Sequence, residues 1–137
     1  MGEVQVLTRE EPIPKRVEEV AALAVDAANS VRKEMGPCLL GSIYELCFLH
    51  ELKKRELTVK TNVPMPVTYE GTRIEEGYHI GFLVEDCLVV EIHAVDRPAP
   101  DNEAYVLTRL RHSGYRIGLL IDFQTRRAGQ FIKRVSL

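Results

Sequence analysis

Residues 78–95 read Tyr-His-Ile-Gly-Phe-Leu-Val-Glu-Asp-Cys-Leu-Val-Val-Glu-Ile-His-Ala-Val. Two apolar runs are separated by Glu85-Asp86. The stretch therefore reads as a strand over Tyr78–Val84, a turn, and a returning strand over Cys87–Val95. Leu88-Val89-Val90, at the centre of the second run, shows no alternation of apolar and polar residues. Such a strand is covered on both faces, which places it in the middle of a sheet.

The reading extends outward from there. Upstream, Val59, Thr61 and Val63 alternate with Lys60 and Asn62, so a strand is expected. Pro64 and Pro66 flank Met65, and this strand is expected to end early or to lie at an edge. Val67–Tyr69 is expected as a further short strand before a Glu70-Gly71 turn. Over residues 16–35, Val17, Val20, Ala21, Ala24, Ala28 and Val31 recur at helical spacing, and Gly36-Pro37 stops the helix. A second helix is expected over Ser42–Arg55. Ser42 would be its N-cap, and Glu45 would complete a capping box. Ile43, Leu46, Cys47 and Leu49 would form its buried stripe, with Glu51, Lys53, Lys54 and Arg55 facing water.

Downstream, Asp96–Asp101 reads as a loop, with Pro98 and Pro100 inside it. Asn102–His112 reads as a helix with Ala104, Leu107 and Leu110 inward and Gly114 as its stop. Arg116–Phe123 reads as a strand centred on Ile117–Ile121, and Phe131–Val135 as a last edge strand. The order predicts an α/β fold, a mixed β-sheet flanked by helices. Residues 1–15 are expected to form a lead-in or arm, and residues 16–137 a single domain.

The chain has 137 residues, and 18 Lys and Arg stand against 20 Asp and Glu, a net charge of -2. One core suffices at this length, and the balance argues against a strongly basic nucleic-acid surface. No apolar run reaches the roughly 18 residues of a membrane span, and the N-terminus lacks the apolar stretch of a signal peptide. Cys38, Cys47 and Cys87 form no CxxC pair and no disulfide framework. A reducing, cytoplasmic compartment is expected.

Several blocks occur in a specific order. Gly36-Pro37-Cys38-Leu39-Leu40-Gly41-Ser42-Ile43-Tyr44-Glu45 lies between the first two helices. Glu76-Gly77-Tyr78-His79-Ile80 opens a strand, and Val89-Val90-Glu91-Ile92-His93-Ala94-Val95 closes a hairpin. Glu103-Ala104 precedes Gly118-Leu119-Leu120-Ile121-Asp122-Phe123. Together these blocks resemble the GxxExxY family, a branch of the PD-(D/E)XK nuclease superfamily, over about residues 18–135. The resemblance implies a restriction-endonuclease-like core. It also implies a site in which an acidic strand residue and the Glu of a Glu-x-Lys pair hold a divalent metal. The Lys positions water, and a helix Gln supports the cluster. Glu-x-Lys puts both side chains on one face of a strand, and several carboxylates suit Mg²⁺.

This sequence departs from that pattern. The Gly, Glu and Tyr of the first motif fall on Cys38, Gly41 and Tyr44, so the Glu is lost. The strand acid falls on Gly81, the second Glu on Glu91, the Lys on His93 and the helix Gln on Tyr105. One carboxylate makes a poor Mg²⁺ site. The expectation is a nuclease fold without nuclease chemistry, acting in binding or self-assembly as a homo-oligomer, and without a cofactor. The alternative is a nuclease with a rearranged site, which would use Mg²⁺ or Mn²⁺.

His79, Glu91 and His93 are weak candidates for a Zn²⁺ or Mn²⁺ site; a remnant hydrogen-bonded pair is the plainer reading. Arg109, Arg111, Arg116, Lys133 and Arg134, with Arg126 and Arg127, bias the last third toward positive charge. They are candidates for phosphate-backbone contacts without cleavage. Ordinary solvated charge is the plainer reading, because no stacking aromatics are interleaved with them. Tyr44 and Glu45 read as packing and capping residues. The cysteines read as inert thiols, and His50, His79, His93 and His112 have no Ser or Cys partner motif.

Overall fold

A computed structural model describes residues 11–94 and 103–137. Two helices, α1 (Lys15–Met35) and α2 (Gly41–Lys54), precede three strands, β1 (Val59–Tyr69), β2 (Thr72–Val84) and β3 (Leu88–Ile92). Helix α3 (Glu103–Ser113), β4 (Ile117–Ile121) and β5 (Ile132–Ser136) follow. The sheet order is β1-β2-β3-β4-β5. The β3–β4 pair is parallel and the other pairs are antiparallel. This is the mixed sheet flanked by helices that the sequence predicts. The Asp96–Asp101 loop and residues 1–10 lie outside the described residues.

Helix α1 buries its whole apolar stripe and Ala27 with it. The four buried alanines, Ala21, Ala24, Ala27 and Ala28, let the backbone come close to its neighbours. Gly36, at φ 68°, ends the helix and donates its N–H to Arg32 O. Helix α2 differs from the sequence reading. It starts at Gly41, after Leu40, with no side-chain cap, so Ser42 lies inside the first turn and forms no capping box. Its buried stripe is Tyr44, Phe48 and Leu52, spaced at four. Ile43 and Leu46 are exposed, Cys47 and Leu49 are half-buried, and so are Glu51 and Arg55, which pair with each other. The aromatic residues win the inner face through a distant partner. Tyr44 stacks on Phe123 at 5.0 Å, and Phe48 meets Phe82 edge-on at 5.3 Å.

Strand β1 does not end at its prolines. It runs through both to Tyr69, with a register irregularity between Met65 and Val67. An edge strand can do this, because one side needs no ladder donors. The Glu85-Asp86 turn has both residues at φ 53°, the left-handed pair that matches the twist of a tight hairpin. Glu85 accepts from the Thr58 N–H and hydroxyl and pairs with Arg16. Strand β2 pairs with β1 over nearly its whole length, but with β3 only through Phe82–Val84. All five residues of β3 are buried, as expected of a central strand.

The core has two halves. Leu88, Val90 and Ile92 face the α1–α2 side, and Val89 faces the α3 side. Within α3, Val106 and Leu110 are buried, Leu107 is half-buried and Ala104 is exposed, contrary to its expected inward place. A Cβ on Gly118 of β4 would lie 2.3 Å from Val106 Cγ1, so the bare glycine lets α3 lie close to the sheet. Among the described residues, no helix is long and apolar enough to cross a membrane.

Candidate functional site

Among the described residues, Glu91 is the one polar or charged side chain buried in the core, at 5% exposure. It follows Val90 near the end of β3, on the face where α3 packs. Its Oε2 accepts from the Gly81 N–H at 3.0 Å and lies 3.4 Å from Arg109 Nε. A Cβ built on Gly81 would lie 2.8 Å from Glu91 Oε1 and 3.3 Å from Val90 O. The carboxylate therefore fills the space that a side chain at residue 81 would need. Burial pushes the Glu91 carboxyl up to about 7. The Gly81 N–H and Arg109 pull it down, but desolvation outweighs both, and the nearby charge of Glu45 raises it further.

Arg109 supplies the cation beside this acid. Its guanidinium lies over the Tyr105 ring at 3.6 Å and 5.3 Å from the centre of the Tyr78 ring. It donates to the Tyr105 hydroxyl at 2.7 Å and to the carbonyl of His79 at 3.2 Å. Tyr105 and Arg109 are one turn apart on α3, so the helix presents both to the end of β3. Burial and the Glu91 charge raise the Tyr105 hydroxyl above its ordinary value.

The alternation of β2 changes at Gly81. Ile80 packs with the α3 half of the core, and Phe82 packs with the α1–α2 half. Opposite them on β1, Asn62 takes a positive φ of 52°. A cleft of about 540 Å³ opens here between α2 and the hairpin. Ser42, Glu45, Leu46, Leu49, Thr61, Asn62, Gly81 and Phe82 line it.

The structure brings Glu91, Gly81, Tyr105 and Arg109 together. His93 lies just past β3, half-buried, and its N–H donates to Ile121 O at 2.8 Å. His79 turns its ring to Glu76, at 3.4 Å, and offers only its carbonyl to the Arg109 cluster. Gly41 is buried at the start of α2. Among the described residues, no three His, Cys, Asp or Glu side chains gather to hold a metal ion. Among the described residues, the partners of Glu91 are a backbone N–H and a guanidinium. Both are donors, where a hard cation requires further oxygen ligands, so this set does not fit Mg²⁺.

The remaining arginines are dispersed. Arg111 is exposed on α3. Arg116 donates to the carbonyls of Leu137 and Glu11. Lys133 and Arg134 are neighbours on β5 and point to opposite faces. Arg134 forms a two-pronged pair with Glu18, at 2.8 Å for each contact. Sequence reasoning took Arg109 as an outward cation. The available signal was its spacing of four from Tyr105.

A buried acid on the central strand, a two-helix entry and an α3 crossover define a nuclease-type α/β core. The family model described as the PD-(D/E)XK nuclease superfamily matches residues 18–135, and the chain belongs to that superfamily. No curated protein and no solved structure matches it.

Proposed function

We propose that this chain is a nuclease-fold domain that does not cleave and that acts by binding, including binding to itself. The observation that carries this reading is the contact between Glu91 and Gly81. In the GxxExxY pattern that the chain resembles, residue 81 would carry a second metal-binding acid. Here the surviving carboxylate lies in that space, and its charge is met by Arg109. Among the described residues, β1 and β5 are the outer strands of the sheet, and these edges are what self-assembly would use. The three free cysteines fit a cytoplasmic setting.

A second reading, a metal-dependent nuclease with a rebuilt site, has one observation in its favour. Glu45 is near enough to Glu91 to raise its pKa, so a second carboxylate remains within electrostatic reach. The test is cleavage of single- and double-stranded DNA and RNA with Mg²⁺, Mn²⁺ or Zn²⁺, beside Glu91→Ala. No cleavage under any metal is expected. Metal-dependent cleavage that disappears in Glu91→Ala would establish the second reading. Light scattering in the micromolar range should give at least a dimer mass, and a monomer mass would count against self-assembly. A salt-dependent shift of labelled nucleic acid without cleavage would make nucleic acid the partner.

A further inference from the structure

Two exposed patches of this chain carry opposite charge. The first is the end of the β1–β2 hairpin. Its base, Val63, Met65 and Tyr78, packs with the α3 half of the core, and residues 68–77 beyond it are exposed. Val67 stands opposite Ile74 in the register, and Tyr69 follows Val67 by two, so these three side chains share one face. Tyr69 is 68% exposed there and Ile74 48%. Glu70, Glu75 and Glu76 belong to the same stretch, against one cation, Arg73, which pairs with Glu75 at 2.8 Å. Glu76 lies 3.4 Å from the His79 ring. A two-stranded ribbon is marginal by itself in water, and an aromatic and an aliphatic side chain left out together on its end mark a contact surface.

The second patch is the corner where the α1–α2 turn meets the loop after β4. Arg32 donates to Thr125 O at 3.4 Å and the Gln124 amide donates to Leu39 O, which fixes the loop on the turn. Lys33, Arg126 and Arg127 are exposed around this contact, and Arg32 lies over the Phe131 ring at 4.6 Å. The acids of these two segments are Glu34 and Asp122, and Asp122 accepts from the Gln124 N–H. Met35 and Leu40 are exposed at the same turn, Leu40 at 58%. Phe123 and Phe131 anchor this corner in the α1–α2 half of the core, so the two patches belong to opposite faces of the sheet.

We infer that the hairpin end of one copy docks on the corner of a second copy, Tyr69 and Ile74 against Met35 and Leu40, and the glutamates against Arg126, Arg127 and Lys33. This rests on the reading above that the chain binds itself, and it places one outer strand, β1, in the contact. Charge complementarity selects the partner. Hairpin against hairpin would set glutamates against glutamates, and corner against corner would set arginines against arginines. The apolar side chains supply the burial that surface ion pairs alone do not. Each copy offers both patches, so the contact is head-to-tail, and it closes as a reciprocal pair or a larger ring, or continues as a filament.

The test is light scattering of the whole chain across the micromolar range, with melting temperature as the check on folding. The wild type should exceed a monomer mass at about 50 mM salt and associate at least about tenfold more weakly at about 500 mM, where exposed charges are screened. Glu70→Lys with Glu76→Lys reverses the hairpin, and Arg126→Glu with Arg127→Glu reverses the corner. Each double variant alone should associate at least about tenfold more weakly than the wild type, at an unchanged melting temperature. Mixed one to one they should regain the wild-type mass, because each then offers the charge that the other lacks. Tyr69→Ser, which leaves every charge in place, should weaken association as well. Assembly that ignores salt, that survives either charge reversal, or that the mixture fails to restore would overturn the inference and leave self-binding through the sheet edges standing. A monomer mass for the wild type overturns the inference and self-binding together, and leaves the non-cleaving reading to the cleavage assay.

Discussion

The Tyr44 corner and the Glu91 end of the cleft both fall on positions where the chain resembles a nuclease motif, and they have fared differently. At the corner, Tyr44 is 1% exposed and stacks on Phe123. Its hydroxyl donates to Gly36 O at 2.5 Å and accepts from the Leu39 N–H at 3.2 Å. One side chain thus holds the turn between α1 and α2 onto the sheet. At the other end Glu91 is buried against the Gly81 N–H and Arg109, and Arg109 lies over Tyr105. A residue that closes a core is kept with its partners. On the proposed non-cleaving reading, a residue whose use is a bound cation is free to change.

Substitutions at the two places should separate these roles. The largest effect is expected from Tyr44→Ala, which removes the stack and leaves the Gly36 carbonyl and the Leu39 N–H without their partner. A loss of about 3–5 kcal/mol in urea unfolding is expected. A loss below about 1 kcal/mol would make the corner as dispensable as the cleft.

Glu91 should reveal itself through pH. Its carboxyl is raised to about 7 in the folded chain, so the folded state holds the proton more tightly than the unfolded state. The contribution of Glu91 is then fully present below the unfolded carboxyl value and is lost as pH rises toward about 7. The expected span is about 3 kcal/mol. Glu91→Gln should flatten this slope. The lowered carboxyls of Glu18, Glu51 and Glu85 act at lower pH and in the opposite sense. A wild-type stability that rises between pH 5 and 7 would contradict the assignment.

Gly81→Ala should destabilise by about 1–3 kcal/mol, because Glu91 and the Val90 carbonyl must give way. A neutral result would mean that Glu91 has another place to go. The smallest effect has the opposite sign. Cys38 adopts φ 76°, where the GxxExxY pattern carries glycine and where a side chain is strained. Cys38→Gly should stabilise by about 0.5–1 kcal/mol, read as a shift in the urea midpoint. A loss of stability would show that the thiol makes a useful contact at the corner.

Much of this was legible in the chain. The apolar stripe of α1, the Glu85-Asp86 turn and the unbroken Leu88–Val90 run each carry a local signal, and each lies where its pattern places it. The inner face of α2 was not legible, because Ile43 and Leu46 compete with Tyr44 and Phe48 until Phe123 and Phe82 arrive from distant strands. The continuation of β1 through its prolines depends on its being an edge, which is a property of the whole sheet. The departures from the resembled pattern at Gly41, Gly81, His93 and Tyr105 were visible by position. The compensation by Arg109 was not, since an arginine on a helix reads as solvated until the acid it faces is placed 18 residues upstream.

The parallel pairing of β3 with β4 bears on how the chain reaches this state. The β1–β2 and β2–β3 hairpins join neighbours in sequence and can form within microseconds. The β3–β4 ladder must wait until the intervening segment has closed a long loop. Gly118, which sits in that ladder and receives α3, then marks the late step. Substitutions there should mainly speed unfolding, and substitutions in the Glu85-Asp86 turn should mainly slow folding.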